Sequence, residues 1–224
     1  MSKGKNGFYN RFVKRALDIF CALFVLIALS WVYLIIAILV RIKLGSPVIF
    51  HQERPGMIDP QTGKEKIFRL CKFRSMTDAR DENGKLLPDS VRLTKFGRIL
   101  RATSLDELPE AWNILKGDMS LIGPRPWLTS YLPYYNEWEH QRHLVRPGLT
   151  GLAQVSGRNA LTWKTRFEKD IEYVEHVSFA MDMKIVFMTI KKVFVHEGIE
   201  FRKEENIMDY FASHQQPETT KEEN

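Results

Sequence analysis

The chain contains one long apolar segment, followed by shorter stretches with helical or strand-like patterns. Residues 19–40 carry no charged side chain, and only Ser30 among them lies outside the hydrophobic class. A helix of these 22 residues reaches about 33 Å, which matches the roughly 30 Å hydrocarbon core of a bilayer. The pattern therefore predicts a helix that meets a membrane, and it excludes an ordinary soluble globule.

The charges around this segment leave two topologies open. Basic residues flank it on both sides, among them Lys14 and Arg15 before it and Arg41 and Lys43 after it. Since Lys and Arg favour the cytoplasmic side, a re-entrant helix satisfies both flanks, whereas a span translocates one of them. The length favours a span, and the middle of the segment offers no Pro or Gly that would break a helix.

The remaining patterns predict an α+β fold that is mostly helical. Strands are expected near 48–52 and 66–76, with a loop over 54–65 between them. Helices are expected over about 93–101, 107–116, 134–144, 162–176 and 180–196. The last helix has an apolar side and several lysines, which suit either a helix lying in the membrane surface or a core helix.

The predicted organisation has three parts. Residues 1–45 form a basic flank and membrane helix, residues 46–202 a catalytic domain, and residues 203–224 a polar, disordered tail. Lys+Arg 33 minus Asp+Glu 27 gives a net charge of +6, which favours anionic partners. Nucleic acid is not expected, because no recognised binding module is present. The two cysteines show neither disulfide nor metal spacing.

The segment from Thr103 to Glu110 carries the first candidate chemistry. Ser104 and Glu107 fit the S-x-x-E capping box. Pro109 conflicts with that start, but it is tolerated if the helix begins at Asp106 or later. In both cases Asp106 and Glu107 lie near a helix N-terminus, where the helix dipole favours ionised carboxylates.

Two further segments suit anion binding. Arg125 stands between Pro124 and Pro126, so its backbone is stiff on both sides, as a phosphate clamp requires. Residues 145–159 contain three glycines, two arginines and a glutamine, which suit a loop whose amides approach an anion. That loop is neither a Walker A loop nor a G-x-G-x-x-G fingerprint.

Taken in order, these motifs resemble the bacterial sugar transferases, the monotopic phosphoglycosyl transferase family, over roughly residues 11–196. The matching pieces read KRALD, FHQERPG, KFRSM, LDELP, LKGDMS, GPRP and the loop from Arg146 to Asn159. Members of that family usually carry Ser-Pro in the middle of the membrane helix, where the proline produces a re-entrant hairpin. This chain has Ser30-Trp31 instead.

The resemblance implies transfer of a sugar 1-phosphate from a UDP-sugar to a polyprenol phosphate such as undecaprenyl phosphate, with release of UMP. It implies that Asp106 is the nucleophile and that Glu107 helps to hold Mg²⁺. Phosphate binding falls to Lys72, Arg101 and Arg125, and nucleotide binding to Gln154 and Arg158.

The same resemblance implies a location in the bacterial inner membrane, in contact with its lipid, with the catalytic domain on the cytoplasmic face. Whether the chain forms a homo-oligomer stays open. Two other functions are compatible with the sequence: a membrane-bound nucleotide-sugar hydrolase, and a non-enzymatic membrane protein that binds anionic lipid through its basic surface.

Overall fold

The computed structural model describes residues 7–157, 161–195 and 206–215. The chain divides into two compact units. The N-terminal unit comprises Arg15–Arg54 and Ile67–Met119, and the C-terminal unit comprises Met1–Lys14, Pro55–Lys66 and Ser120–Asn224. The division predicted at residues 45 and 202 stays a prediction. The predominance of helices with a few short strands confirms the predicted α+β class.

A π-helical turn at Tyr9–Val13 precedes the elements that lie wholly or mainly in the N-terminal unit. These are α1 (Lys14–Ala28), α2 (Ser30–Leu44), β1 (Ile49–Ile58), β2 (Glu65–Phe73), α3 (Asp89–Arg92), α4 (Lys95–Ala102) and α5 (Glu110–Lys116). The two strands form a two-stranded sheet. The predicted strands are present, but β1 continues through Pro55, which the sequence had placed in a loop. An outer sheet edge needs no amide donor, so it tolerates a proline.

The apolar segment is two helices rather than the predicted single one. The break falls at Leu29, whose φ and ψ are −100° and 12°. No single helix of the described residues is long and apolar enough to cross a membrane. Tyr9–Ala28 and Ser30–Leu44, which form a pair bent by 63°, are long and apolar enough only when taken together. The pair exposes many large apolar side chains, including Phe20, Phe24, Ile27, Trp31, Leu34 and Ile42.

The opposite face of α2 builds the core of the N-terminal unit. Ile36, Val40 and Leu44 pack against Phe73 of β2 and Leu100 of α4. Helix α4 comes very close to the chain after β2, because a Cβ added to Gly97 would lie 1.8 Å from the carbonyl oxygen of Ser75. The core thus fixes the end of β2 against α4, and both carry predicted site residues.

The C-terminal unit contains two strands and five helices among its described residues. They are β3 (Ser120–Ile122), α6 (Glu137–His140), β4 (Gly148–Thr150), α7 (Leu152–Ser156), α8 (Trp163–Glu175), α9 (Phe179–Val195) and α10 (Ile207–Gln215). Short 3₁₀ turns at Thr129–Tyr134 and Gln141–Leu144 flank α6. The strands pair in parallel, with Ser120 opposite Gly148 and Ile122 opposite Thr150.

The predicted glycine-rich loop is therefore largely a strand and a short helix. A Cβ on Gly148 would lie 2.0 Å from the amide nitrogen of Gly123. The glycine is needed for this close approach between two backbones, which places β4 against the segment that leads to Arg125.

Helix α9 packs one face into a core and exposes apolar side chains on another, and its contact with a membrane surface stays a prediction. Ile185 is fully buried in a core with Ile122, Val145 and Tyr173, whereas Phe187 is 70% exposed and Phe179 and Ile190 are exposed as well. One face of the helix is a core face, and the other is apolar and exposed.

The prediction of a disordered tail is wrong for residues 207–215, which form α10. Ile207, Tyr210 and Phe211 are buried together with Phe167 of α8, and the Tyr210 hydroxyl donates to Glu139 Oε1 at 2.7 Å. A helix of nine residues is marginal by itself, so these tertiary contacts stabilise it. Residues 203–205 and 216–224 of the predicted tail lie outside the described residues.

The packing of α4 gives a stability prediction. Gly97→Ala is expected to lower the free energy of unfolding by about 1–3 kcal/mol, because the methyl group meets backbone rather than a movable side chain. Denaturant unfolding in detergent measures the change. Lys95→Ala, at an exposed position of the same helix, is the control, and equal stability of the two variants would contradict the prediction.

Candidate active site

The segment between α4 and α5 places Asp106 and Glu107 directly before a helix. Ser104 adopts a left-handed conformation with φ 55° and makes no capping hydrogen bond through its side chain. Leu105–Glu107 then form a 3₁₀ turn, and α5 begins at Glu110 with Pro109 as its N-cap. The predicted capping box is not formed. The helix starts after Asp106, as the constraint from Pro109 required.

A lysine from β2 lies between two carboxylates at this turn. Lys72 Nζ is 2.7 Å from Glu107 Oε1 and 3.0 Å from Glu110 Oε1. The side chain of Glu110 is almost completely buried. Because charges are stabilised poorly away from water unless they are paired, this ammonium makes two closely spaced carboxylates possible.

Asp106 is buried beside this group. Burial, and then the charge of Glu107, raise the pKa of Asp106 above its usual range, whereas Lys72 and Arg101 lower it. A hydrogen bond from its own backbone amide also lowers it. The ionised form that a nucleophile needs therefore depends on the two cations, which offset desolvation and the neighbouring acid.

Arg101 is held at the end of α4 by the chain after β2. Its Nε donates to the hydroxyl of the buried Ser75 at 2.9 Å. The same chain segment touches Gly97 of α4. The contact between α4 and Ser75 therefore positions Arg101 near Asp106.

The structure thus brings together four of the predicted site residues: Asp106, Glu107, Lys72 and Arg101. Sequence reasoning missed Glu110. The sequence does show that Glu107 and Glu110 lie three residues apart, on either side of Pro109. This spacing does not reveal that one lysine binds both carboxylates.

The carboxylates of this turn form at most a partial ligand set for a metal ion. Among the described residues, no group of three or more His, Cys, Asp or Glu side chains is arranged to hold an ion. Mg²⁺ in phosphate-transferring sites is typically bound by one or two carboxylates plus substrate phosphates and water. The adjacent, mutually repelling carboxylates of Asp106 and Glu107 fit that partial ligand set.

The other predicted residues lie in the C-terminal unit. Arg125 is half-buried, and its carbonyl oxygen accepts a hydrogen bond from Arg142 Nη2 at 2.6 Å. Arg142 is fully buried and pairs with Asp170 at 2.7 Å. The segment around Arg125 is thus held by a buried ion pair as well as by its flanking prolines.

The residues predicted on the nucleotide side are Gln154 and Arg158. The side-chain Nε2 of Gln154 in α7 donates to the carbonyl oxygen of Leu149 in β4 at 2.9 Å, so this amide nitrogen already has a hydrogen-bond partner within the protein. Arg158 lies outside the described residues.

Comparison with known proteins identifies the family. The model of the family described as bacterial sugar transferase matches residues 9–196. The chain belongs to this family and is a phosphoglycosyl transferase.

Three relatives illustrate the similarity. An uncharacterized sugar transferase, EpsL of Bacillus subtilis, is 52% identical over 84% of this chain and 90% of the relative. The UDP-glucose:undecaprenyl-phosphate glucose-1-phosphate transferase of Escherichia coli is 40% identical over 84% of this chain, but the match spans only 42% of that protein. The exopolysaccharide production protein PSS of Rhizobium leguminosarum is 38% identical over 80% of this chain and 93% of the relative.

The geometry around Lys72 gives a prediction for the charge of Asp106. Lys72→Met is expected to raise the pKa of Asp106, because it removes a cation that favours the carboxylate. The carboxyl resonance of ¹³C-labelled aspartate, assigned by loss of the signal in Asp106→Asn, reports the titration. Lys66→Met, an exposed position on the same strand, is the control. An unchanged pKa in Lys72→Met would contradict the assignment.

Proposed function

We propose that this protein transfers a sugar 1-phosphate from a UDP-sugar to a polyprenol phosphate, such as undecaprenyl phosphate, and releases UMP. The observation that carries the proposal is a buried Asp106 flanked by cations, in a chain of this family. The name of the Escherichia coli relative describes this type of reaction. The product would start the assembly of a surface glycan, as the name of the Rhizobium relative suggests.

The proposed reaction has two steps. A carboxylate oxygen of Asp106 attacks the phosphorus that bears the sugar, and the bond to the bridging oxygen breaks, so that UMP leaves with the electron pair. An oxygen of the polyprenol phosphate then attacks the same phosphorus, and the bond to Asp106 breaks. The carboxylate is restored, and the lipid carries a diphosphate sugar.

Electrostatics explain the cations around the nucleophile. Two unit charges 4 Å apart repel by about 4 kcal/mol at an effective dielectric constant near 20, so a carboxylate does not approach a diphosphate unaided. Lys72 and Arg101 lie close enough to Asp106 to lower the pKa of its carboxyl, which supports their role as the nearby positive charges. In this proposal they and Arg125 bind the phosphates, while Gln154 and Arg158 face the nucleotide.

Mg²⁺ is proposed as the cofactor. Glu107, with Asp106 beside it, would hold the ion, which supplies positive charge to the phosphate oxygens when bound. Lys72 forms an ion pair with the neighbouring Glu110. Because its charge already has this partner, the buried Glu110 does not need the metal ion to balance it.

The apolar helix pair supports a membrane location. A soluble chain rarely exposes so large a contiguous set of aromatic and aliphatic side chains as α1 and α2 do. The basic residues on both flanks favour re-entry from the cytoplasmic face of the bacterial inner membrane. In that place a water-soluble donor and a lipid acceptor can use the same carboxylate in turn.

The nucleophile is tested by substitution. Asp106→Asn is expected to lower UMP release by roughly 10³-fold or more, since the amide cannot form the intermediate. Glu107→Gln is expected to lose roughly 10²-fold, because one charged partner of the phosphates or ion is removed. Detergent-solubilised protein with a panel of UDP-sugars, Mg²⁺ and polyprenol phosphate provides the assay.

Mass spectrometry after mixing with the donor alone is expected to detect a phosphosugar on residue 106. The exposed Asp89→Asn is the matched control. Full turnover by Asp106→Asn would remove the nucleophile. Release of sugar phosphate without lipid would favour the hydrolase, and salt-sensitive vesicle binding without turnover would favour the lipid-binding protein.

The topology is tested by labelling. In a variant without Cys21 and Cys71, a cysteine placed at Gly4 is expected to react in intact cells only with a membrane-permeant reagent, because a re-entrant pair keeps this flank in the cytoplasm. A cysteine at the exposed Lys66 is the cytoplasmic control. Labelling at position 4 by an impermeant reagent would establish a span instead.

A further inference from the structure

The short helix α5, which follows the Asp106–Glu107 turn, is held at both ends by the apolar helix pair. At its start, the Tyr33 hydroxyl of α2 donates to the carbonyl oxygen of Leu108. At its end, Arg15 of α1 donates from Nη1 to the Ile114 carbonyl at 2.6 Å and from Nη2 to the Leu115 carbonyl at 2.8 Å. Each helix of the pair thus forms hydrogen bonds with one end of α5.

The contact at the start of α5 reaches both sides of the active site. Leu108 directly follows Glu107, and the Tyr33 ring packs on Phe73 with 5.8 Å between centroids. Phe73 directly follows Lys72. Tyr33 therefore touches the neighbours of both partners in the Lys72–Glu107 ion pair, which is 2.7 Å long.

The contact at the end of α5 is a C-terminal cap. The last carbonyls of a helix lack intrahelical partners and carry partial negative charge, so a guanidinium that donates to two of them stabilises the helix. Both donors come from one side chain with a rigid fork, which fixes the direction of α1 at this end.

The bend between α1 and α2 has no covalent cause. Leu29 is followed by Ser30 and Trp31, without proline or glycine, and the backbone hydrogen bonds from Leu29 to Val25 and from Tyr33 to Leu29 are both kept at 3.0 Å. Sharp bends in helices have identifiable causes. Here the 63° angle coincides with two tertiary contacts that bind the halves to a common helix.

We propose that Tyr33 is a positioning residue that couples the bend of the apolar pair to the geometry of Lys72, Asp106 and Glu107. With Arg15 as its counterpart on α1, it holds the bend in place of a proline. The activity readout rests on the proposed function. The structural readout does not.

The structural experiment measures the bend directly. Spin labels at the exposed positions Phe20 and Ile42, in a variant without Cys21 and Cys71, lie about 33 Å apart along a straight helix and about 28 Å apart with a bend of 63°. In nanodiscs, the parent protein is expected to give the shorter distance. Tyr33→Phe and Arg15→Lys, which keeps the charge, are expected to shift and broaden the distribution toward the longer one.

The kinetic experiment uses the same variants. Tyr33→Phe is expected to lower kcat for UMP release roughly 10-fold, the equivalent of one hydrogen bond, with little change in KM for the UDP-sugar. Tyr134→Phe, a partly exposed tyrosine of the C-terminal unit, is the control that keeps parent behaviour.

A rescue completes the test. Trp31 is exposed and lies in the first turn of α2, where a proline is tolerated, so Trp31→Pro in the Tyr33→Phe background is expected to restore both the distance and kcat. Parent distances in Tyr33→Phe, or a lower kcat that Trp31→Pro does not restore, would overturn the coupling. A parent protein that releases no UMP with any donor would overturn the proposed function instead, and the distances would still test the bend.

Discussion

The structure of the site depends on one partly buried ammonium group. Lys72 lies between the carboxylates of Glu107 and Glu110, and its charge also acts on Asp106. Three acids within five residues repel one another where water is scarce. Lys72 gives Glu107 and Glu110 a charged partner, and it lowers the pKa of Asp106, which burial raises. The chemistry proposed for Asp106 therefore rests on a side chain from a different element, β2.

Close backbone contacts make that arrangement possible. A Cβ on Gly97 would lie 1.8 Å from the carbonyl oxygen of Ser75, so the approach of α4 to the chain after β2 leaves no room for a side chain there. This approach sets Arg101 beside Ser75 and Lys72 beside the turn before α5. In the C-terminal unit, Gly148 and Gly123 do the same for the two parallel strands that lead to Arg125. In each unit a glycine allows two backbone segments to meet.

A second constraint comes from the apolar helix pair. Its outer surface exposes many large apolar side chains, whereas its inner face builds the core with Phe73 and Leu100. Polar side chains on that inner side are used for fixed contacts with α5, through Arg15 and Tyr33. The apolar helix pair and the Asp106–Glu107 turn are therefore parts of one packed unit, which is the basis of the coupling proposed for Tyr33.

The sequence by itself determined the family, the apolar segment and the identity of Asp106, Glu107, Lys72, Arg101 and Arg125 as candidates, because these depend on residue types in a fixed local order. Only the tertiary structure decided which of them meet. Glu110 looked like an ordinary residue of a first helical turn until Lys72 was found between it and Glu107. The polar tail contains a helix because three of its side chains pack against α8: Ile207, Tyr210 and Phe211. The bend at Leu29 likewise has no signature in Ser30-Trp31, since contacts distant in sequence, and not the local backbone, hold it.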